Sequence, residues 1–155
     1  MTPAELWEAF LGSGTPEARA AVGASYTAWC FGTGGDMADE LAALVLAGAK
    51  RATAGALWSY EGEGDPLPRP GEYSVILDGA GEARCIIRTA SVDVVPFEQV
   101  GAEFAAAEGE GDHSLEYWRK GHWHYFTLEL AGFGREPSVD MPVVCERFEV
   151  VYAPR

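Results

Sequence analysis

A lysine and a threonine separated by two residues are the first pair in this sequence that could do chemistry. Lys50 and Thr53 follow Gly48, which stands at the end of a strongly helical pattern. A lysine whose pKa is lowered by partial burial can act as a base, and a threonine hydroxyl needs such a base to become a nucleophile. The spacing is common, however, and taken alone it more often marks a surface lysine and an ordinary strand threonine.

An acidic run is the second feature with chemical potential. Three carboxylates alternate with two glycines from Glu108 to Asp112. Glycines let the backbone approach a ligand, and crowding raises the pKa of one carboxyl group, which can then accept a proton or orient water. The run lacks the downstream glutamate of a calcium loop, because Arg119 stands there, so we expect neither a metal ion nor another cofactor. An acidic, solvated loop ahead of the next helix is the alternative.

A glutamate also lies within the last predicted strand. Alternation along this strand places Glu146 on the same face as Val144 and Phe148. A glutamate on an apolar face needs a partner or a function. Arg88 or Arg119 is a candidate partner, and a structural salt bridge or a bulge that turns the carboxylate outward are the alternatives.

Aromatic and histidine side chains give weaker signals. Trp29, Trp58 and Trp118 offer rings on which a base can stack, although tryptophans more often lie in a core. His122 and His124 do not share a helix face, so we do not expect them to bind a metal together. His122 falls on the apolar stripe of its helix and is expected to be a hydrogen-bonded core residue.

Composition limits the class of protein. A chain of 155 residues fits one domain, and its net charge of −13 favours a small or weakly charged substrate over a long polyanion. The three cysteines have no short spacing, which indicates neither a disulfide framework nor a zinc site and fits the cytoplasm. The sequence opens with a helix pattern rather than a signal peptide, and no apolar run reaches the ~20 residues that span a bilayer.

The predicted elements place these residues at the ends of helices and strands. Two short helices begin at Thr2 and Thr15, and a third is capped by Asp36 and ends at Gly48. The later pattern predicts strands over 52–60, 73–77, 84–95 and 143–152, with helices over 97–107 and 114–130. Segregated strands and helices without a linker predict one α+β domain.

Several of these motifs occur in a recognisable order. They are Trp29-Cys-Phe-Gly32, Asp39-Glu40-Leu41 with Leu44-Val45, Gly48-x-Lys50-x-x-Thr53, Pro68-x-Pro70-Gly71, Ile87-Arg88-Thr89, Phe104-Ala105 with Glu108-Gly-Glu110-Gly-Asp112, Trp118-Arg119 with His122, and Cys145-Glu146-Arg147-Phe148. Together they resemble the ASCH domain family over about residues 26–152. The resemblance implies a PUA-like small β-barrel of the α+β class, flanked by helices. It also implies an ASCH domain over 26–155, with an N-terminal helical extension over 1–25 packed on it.

Members of this family are thought to act on RNA or on modified nucleosides. Some compact members look like amidohydrolases that deacetylate N4-acetylcytidine, and others look like ribonucleases or RNA binders. The resemblance therefore implies a hydrolase that cleaves an acyl amide on a cytidine-like nucleoside. A single-strand-specific ribonuclease and a non-catalytic RNA-binding module are the alternatives.

The resemblance also implies roles for individual residues. Lys50 takes the position of a base, Thr53 that of a nucleophile or of a residue that positions water, and Glu108 that of the carboxylate that orients the leaving amine or the water. Glu110 is the reserve for Glu108. The residues expected to contact the substrate are Arg88, Glu110, Trp118, Arg119 and Glu146.

Overall fold

The computed structural model of the protein describes residues 1–154. Within this range the chain forms six α-helices, five β-strands and one short 3₁₀ helix, Phe97–Gln99. The helices are α1 (Pro3–Leu11), α2 (Pro16–Ala20), α3 (Gly35–Leu46), α4 (Leu57–Glu63), α5 (Ala102–Glu108) and α6 (Leu115–Ala131). The strands are β1 (Tyr26–Cys30), β2 (Ala52–Ala56), β3 (Tyr73–Leu77), β4 (Ala83–Pro96) and β5 (Pro142–Tyr152).

The strands form one sheet in the order β1-β3-β4-β5-β2. Strand β1 runs parallel to β3, whereas β3 pairs with β4 and β2 pairs with β5 in antiparallel fashion. The predicted β3–β4 hairpin is confirmed, and its turn is closed by a hydrogen bond from the Asp78 amide to the Glu82 carbonyl oxygen. Helices and strands are interspersed along the chain rather than segregated as expected. Two of the three strand pairs just described are antiparallel, however, so the predicted α+β class is confirmed.

Backbone contacts divide the chain into two units, which are described separately. The first unit comprises Met1–Gly48, Pro70–Ala90 and Phe148–Arg155. Its helix α1 begins with the predicted capping box between Thr2 and Glu5. The unit contains two apolar clusters, one built around Leu6, Trp7, Phe10, Tyr73, Val75 and Ile86, the other around Leu41, Val45, Ile76, Ile87 and Phe148. The domain boundary expected at residue 25 stays a prediction.

The second unit comprises Ala49–Arg69 and Ser91–Arg147. One apolar cluster holds it together, with buried side chains from β2, β5, α5, α6 and the 3₁₀ helix. Its larger members are Phe97, Phe104, Trp118, Phe126, Leu130, Met141 and Val143. This unit contains Lys50, the acidic run from Glu108 to Asp112, and the tryptophans Trp58 and Trp118. None of the helices within residues 1–154 has both the length and the apolar character needed to cross a bilayer.

The strand predicted over 52–60 is wrong in its second half. The strand ends at Ala56, and α4 begins at the next residue. The aromatic residues that suggested a strand serve packing instead, because Trp58 lies against the apolar cluster and the Tyr60 ring folds back over Gly55. The Ser59 hydroxyl also donates to the Glu129 carboxylate on α6. Tertiary contacts therefore override a local preference for strand.

Two predicted helix starts also differ from the structure. Helix α3 begins at Gly35, one residue before the expected cap Asp36, and the N-cap is Gly34 with φ of 86°. Asp36 instead lies in the first turn, where its charge suits the helix dipole. The helix predicted over 97–107 is divided, because the chain is extended at Val100 and Gly101 between the 3₁₀ helix and α5.

Two helix-terminating glycines in the second unit provide a matched test of packing near the acidic run. Gly64 ends α4 and Gly109 ends α5, with φ of 70° and 68°. A Cβ added at Gly109 would lie 2.1 Å from the Ala49 carbonyl oxygen, whereas a Cβ at Gly64 would meet nothing within 4 Å. The close approach at Gly109 brings the acidic run against the residue that precedes Lys50.

We expect Gly64→Ala to lower the free energy of unfolding by about 1–2 kcal/mol, because it meets only the strain of the left-handed conformation. Gly109→Ala should lower it by a further ~1–3 kcal/mol, because backbone atoms must also move apart. Urea unfolding of both variants measures the difference. Equal losses for the two would contradict the close approach at Gly109.

Candidate functional site

The Lys50 side chain is the centre of a buried polar cluster. Its exposed fraction is 1%, and Nζ donates to the Ala52 carbonyl oxygen at 2.9 Å, to Glu108 Oε1 at 2.9 Å and to Glu110 Oε2 at 3.0 Å. These acceptors engage all three N–H groups of an ammonium. The adjacent residue is tied to α5 by a hydrogen bond of 2.7 Å from the Arg51 amide to the Ala107 carbonyl oxygen. The backbone thus fixes Lys50 beside the acidic run.

Glu108, the last residue of α5, is the most enclosed carboxylate of the cluster. Its exposed fraction is 1%; Oε1 accepts from Lys50, and Oε2 accepts from the indole N–H of Trp118 and lies 3.0 Å from His122 Nε2. Burial alone would raise the pKa of Glu108, but the charges of Lys50 and then His122 outweigh it and lower this pKa to about 2. Glu108 is therefore an ionised anchor without access to solvent.

Glu110 differs from Glu108 in being reachable. Its side chain is 22% exposed while it accepts the hydrogen bond from Lys50. Burial raises the pKa of Glu110, the Lys50 charge works against this effect, and the Glu108 charge adds to it. An accessible carboxylate with a raised pKa can accept a proton and return it, which is the property of a general base. The structure thus separates the two carboxylates that the sequence left as alternatives.

His122 belongs to this cluster, although the sequence predicted only a core residue. It follows Trp118 by one helical turn on α6, and the two rings stack with centroids 4.2 Å apart and an interplanar angle of 15°. Its side chain is 15% exposed. Burial alone would lower the pKa of His122, but the carboxylates of Glu108 and then Glu110 raise it. The spacing of four between Trp118 and His122, on a helix that follows the acidic run, was the available signal.

Thr53 and Glu146 meet on the β2–β5 pair. They are directly opposite each other in the antiparallel register, so their side chains share a face. Glu146 is buried, as expected for the face it shares with Val144, and Thr53 is half-buried. Burial, followed by the charge of Glu146, raises the pKa of Tyr60 to about 12, which places the Tyr60 hydroxyl in the same neighbourhood. Thr53 also directly follows Ala52, whose carbonyl oxygen accepts from Lys50.

The other predicted contact residues have different surroundings. Arg88 pairs with Glu149, and both side chains are exposed. The Arg119 guanidinium donates to the Glu98 carbonyl oxygen at 3.2 Å. Trp118 is buried and donates to Glu108. The structure therefore unites Lys50, Glu108, Glu110 and Trp118 and pairs Thr53 with Glu146, while the two arginines engage other groups.

The cluster can be compared with a metal site. Glu108, Glu110 and His122 each offer one ligand atom, and these atoms lie within 4.8 Å of one another. Lys50 Nζ already donates to both carboxylates, however, so a metal ion at this place would meet an ammonium at hydrogen-bonding range. As it stands, the arrangement is an ion-pair network in which the ammonium fills the place of the cation. Its accessible carboxylate, Glu110, is chemically able to transfer a proton.

The lowered pKa of Glu108 predicts a definite loss of stability in acid. A carboxyl group with a pKa of about 2 when folded and an ordinary value of 4.5 when unfolded stabilises the fold above pH 4.5. That stabilisation, on the order of 3 kcal/mol, is lost as the pH falls from about 4.5 towards 2. The pKa of Glu110 is raised above its ordinary value of 4.5, so Glu108 and Glu110 titrate in different pH ranges.

We expect Glu108→Gln to be less stable than the wild type at pH 7 and to lose less free energy of unfolding between pH 4.5 and pH 2. Glu103→Gln, an exposed change on the same helix, should keep the acid dependence of the wild type. Urea unfolding at several pH values measures both. An unchanged acid slope in Glu108→Gln would show that this carboxyl is not ionised in the fold.

Comparisons with known proteins place the fold. A family model described as the ASCH domain matches residues 27–152. The crystal structure of an ASCH domain from Lactobacillus crispatus has a TM-score of 0.88 and 35% identity to this chain, covering 96% of this chain and 93% of that one. A crystal structure from Enterococcus faecalis, of the family-model DUF984, has a TM-score of 0.75 and 40% identity, covering 81% and 76%.

A more distant likeness supports the fold alone. A mutant ASCH protein from Zymomonas mobilis has a TM-score of 0.50 at 10% identity, covering 84% of this chain and 73% of that one. No curated protein is significantly similar in sequence. The PUA-like fold expected from the sequence motifs is thereby confirmed, and with it an association of the fold with RNA binding in general. The chain belongs to the ASCH domain family.

Proposed function

We propose that this ASCH protein is a hydrolase that removes the acyl group from the exocyclic amine of a cytidine-like nucleoside such as N4-acetylcytidine. The observation that supports it is the state of Glu110. This carboxylate is accessible, has a raised pKa and is held at 3.0 Å by a buried ammonium. Cleavage of an amide needs a group that accepts a proton from the attacking oxygen and delivers it to the leaving nitrogen.

The proposal assigns Lys50 to positioning rather than to the base role expected from sequence. The Ala52 carbonyl oxygen and the two carboxylates are acceptors enough for every N–H of its ammonium, and deprotonation would sacrifice its pairing with both carboxylates. Lys50 instead fixes the orientation of Glu110. Glu108 in turn fixes Lys50, because its second oxygen is held by Trp118 and His122. The expected role of Glu108 as the working carboxylate therefore passes to Glu110.

The reaction proceeds with Glu110 carrying the proton. The attacking O–H belongs to Thr53 or to a water that Thr53 positions, and its proton passes to the Glu110 carboxylate as the oxygen adds to the acyl carbon. The carbon–nitrogen bond then breaks, and Glu110 gives the proton to the departing amine. If Thr53 attacks, water cleaves the resulting ester by the same proton route, which restores the hydroxyl and releases acetate.

The charge of the protein favours this substrate class over a long RNA. A net charge of −13 repels a phosphate backbone, and a nucleoside carries no phosphate. A panel of N4-acetylcytidine and short single-stranded RNAs separates the candidates. Cleavage of RNA would replace the proposal by a ribonuclease. Binding of RNA with a steep salt dependence and no turnover would replace it by a binding module.

We expect Glu110→Gln to lower the rate of acetate release from N4-acetylcytidine by about 10²–10⁴-fold, the usual contribution of a positioned base. Glutamine keeps an oxygen for the Lys50 hydrogen bond, so the fold should be retained. Glu103→Gln makes the same chemical change on the exposed side of α5 and should leave the rate unchanged. A wild-type rate in Glu110→Gln would remove Glu110 from the reaction.

Thr53 is tested by removing its hydroxyl without changing its shape. Thr53→Val should abolish acetate release if the hydroxyl attacks or positions water, and Thr53→Ser should retain part of it. Thr27→Val, at an exposed position of β1, is the control for the same change elsewhere. Retention of full activity in Thr53→Val would limit Thr53 to a strand position beside Glu146.

A further inference from the structure

Both ring nitrogens of His122 face groups that only accept hydrogen bonds. Nδ1 lies 2.9 Å from the carbonyl oxygen of Trp118, and Nε2 lies 3.0 Å from Glu108 Oε2. A carbonyl oxygen has no proton to give, and neither has an ionised carboxylate. A neutral imidazole carries one N–H and can satisfy only one of these contacts. The geometry therefore favours His122 with a proton on each nitrogen and hence a positive charge.

With His122 charged, the cluster contains two cations and two carboxylates. Contacts of 3.0 Å, 2.9 Å and 3.0 Å connect them in the order His122, Glu108, Lys50 and Glu110. The two ends of this series of ion pairs differ from its middle in their exposure to solvent. Glu108 and Lys50 are fully buried, whereas His122 and Glu110 are partly exposed and can exchange protons with solvent.

We propose that His122 is a positioning residue that keeps Glu110 ionised, acting through Glu108 and Lys50. The imidazolium neutralises Glu108, so the ammonium of Lys50 remains available to balance Glu110. Without the imidazolium, one ammonium faces two carboxylates and the cluster has an excess negative charge. Glu110, at the exposed end of the series of ion pairs, then takes up a proton and can no longer serve as a base. This role rests on the proposed function of Glu110, but the charge coupling itself does not.

The surrounding groups support this assignment. Glu108 and Glu110 face His122 from α5 and the following loop, and their charges raise the pKa of His122 against the effect of burial. In return, the charge of His122 lowers the pKa of Glu110 against the effect of burial. Cys145 on β5 does not join the titration, because burial and then Glu108 raise the pKa of its thiol to about 12.

His122 does not need to touch the substrate for this role. Its ring is held by the stack on Trp118 and by hydrogen bonds at both nitrogens. A purely structural histidine would be replaced by an uncharged hydrogen-bonding residue with little effect on Glu110. If His122 acts by its charge, the same replacement should change the pKa of Glu110, because it removes the positive charge while keeping a hydrogen-bonding side chain.

The test is a carboxyl-carbon NMR titration of the full-length protein with labelled glutamate, the Glu110 signal being identified by its absence in Glu110→Gln. In His122→Gln the apparent pKa of Glu110 should rise by about one unit, whereas it should not change in His124→Gln. His124 is exposed on the same helix and provides the matched control. An unchanged Glu110 pKa in folded His122→Gln would overturn the proposal.

A second measurement uses the wild type and so does not depend on the variant folding. Nitrogen NMR of the histidines should show both His122 nitrogens protonated at neutral pH, and a neutral tautomer there would also overturn the proposal. In the kinetic experiment, the acidic limb of kcat/KM for N4-acetylcytidine should move up in His122→Gln by the same pKa shift. Absence of acetate release in the wild type would reject the proposed function, and the two NMR results would still decide the coupling.

Discussion

The burial of the Lys50 ammonium is the constraint on which the second unit of this protein depends. An ammonium removed from water costs several kcal/mol unless charges and hydrogen bonds compensate it. Compensation comes from Glu108 and Glu110, which are 58 and 60 residues away in sequence. The pairing can form only when β2 lies against the end of α5, so the same contact that makes the site also selects this arrangement of the chain.

The rest of the unit serves to hold this contact. Gly109 adopts the left-handed conformation that ends α5 between the two glutamates, and it lies so near the Ala49 carbonyl that no side chain fits there. Ser114 then caps α6, whose first turns bring Trp118 and His122 to the second oxygen of Glu108. Donors on both oxygens hold the buried Glu108 carboxylate in one orientation, and this carboxylate in turn fixes the position of the Lys50 ammonium.

Much of this arrangement could be predicted from sequence, and two of the failures share one physical origin, a contact with a residue distant in the local pattern. Helix-capping residues such as Thr2 and helix-terminating glycines such as Gly48 act locally, so the helix ends that they mark were predicted well. The family motifs singled out Lys50 and the acidic run, which the structure brings into contact. Tyr60 was misread because its ring packs against Gly55 rather than continuing a strand. The contact of His122 with Glu108 was not predicted, because no helical pattern on α6 reveals that partner.

The choice between Glu108 and Glu110 shows the same limit most sharply. The two residues have the same chemistry and stand two positions apart, so sequence offers no reason to prefer either. The structure distinguishes them by burial: one carboxylate is enclosed by Lys50, Trp118 and His122, and the other reaches solvent.

The small number of positive charges in this protein limits the kind of ligand that the exposed carboxylate can serve. The chain has 11 lysine and arginine residues against 24 acidic ones, and the ammonium of Lys50 is buried against internal carboxylates. Its charge is thus unavailable to attract a polyanion from solution. The cluster presents to solvent the Glu110 carboxylate, whose proton affinity is set by buried neighbours, and a smaller part of the His122 ring. Such a surface suits a neutral ligand that exchanges a proton, and it offers little to a phosphate backbone.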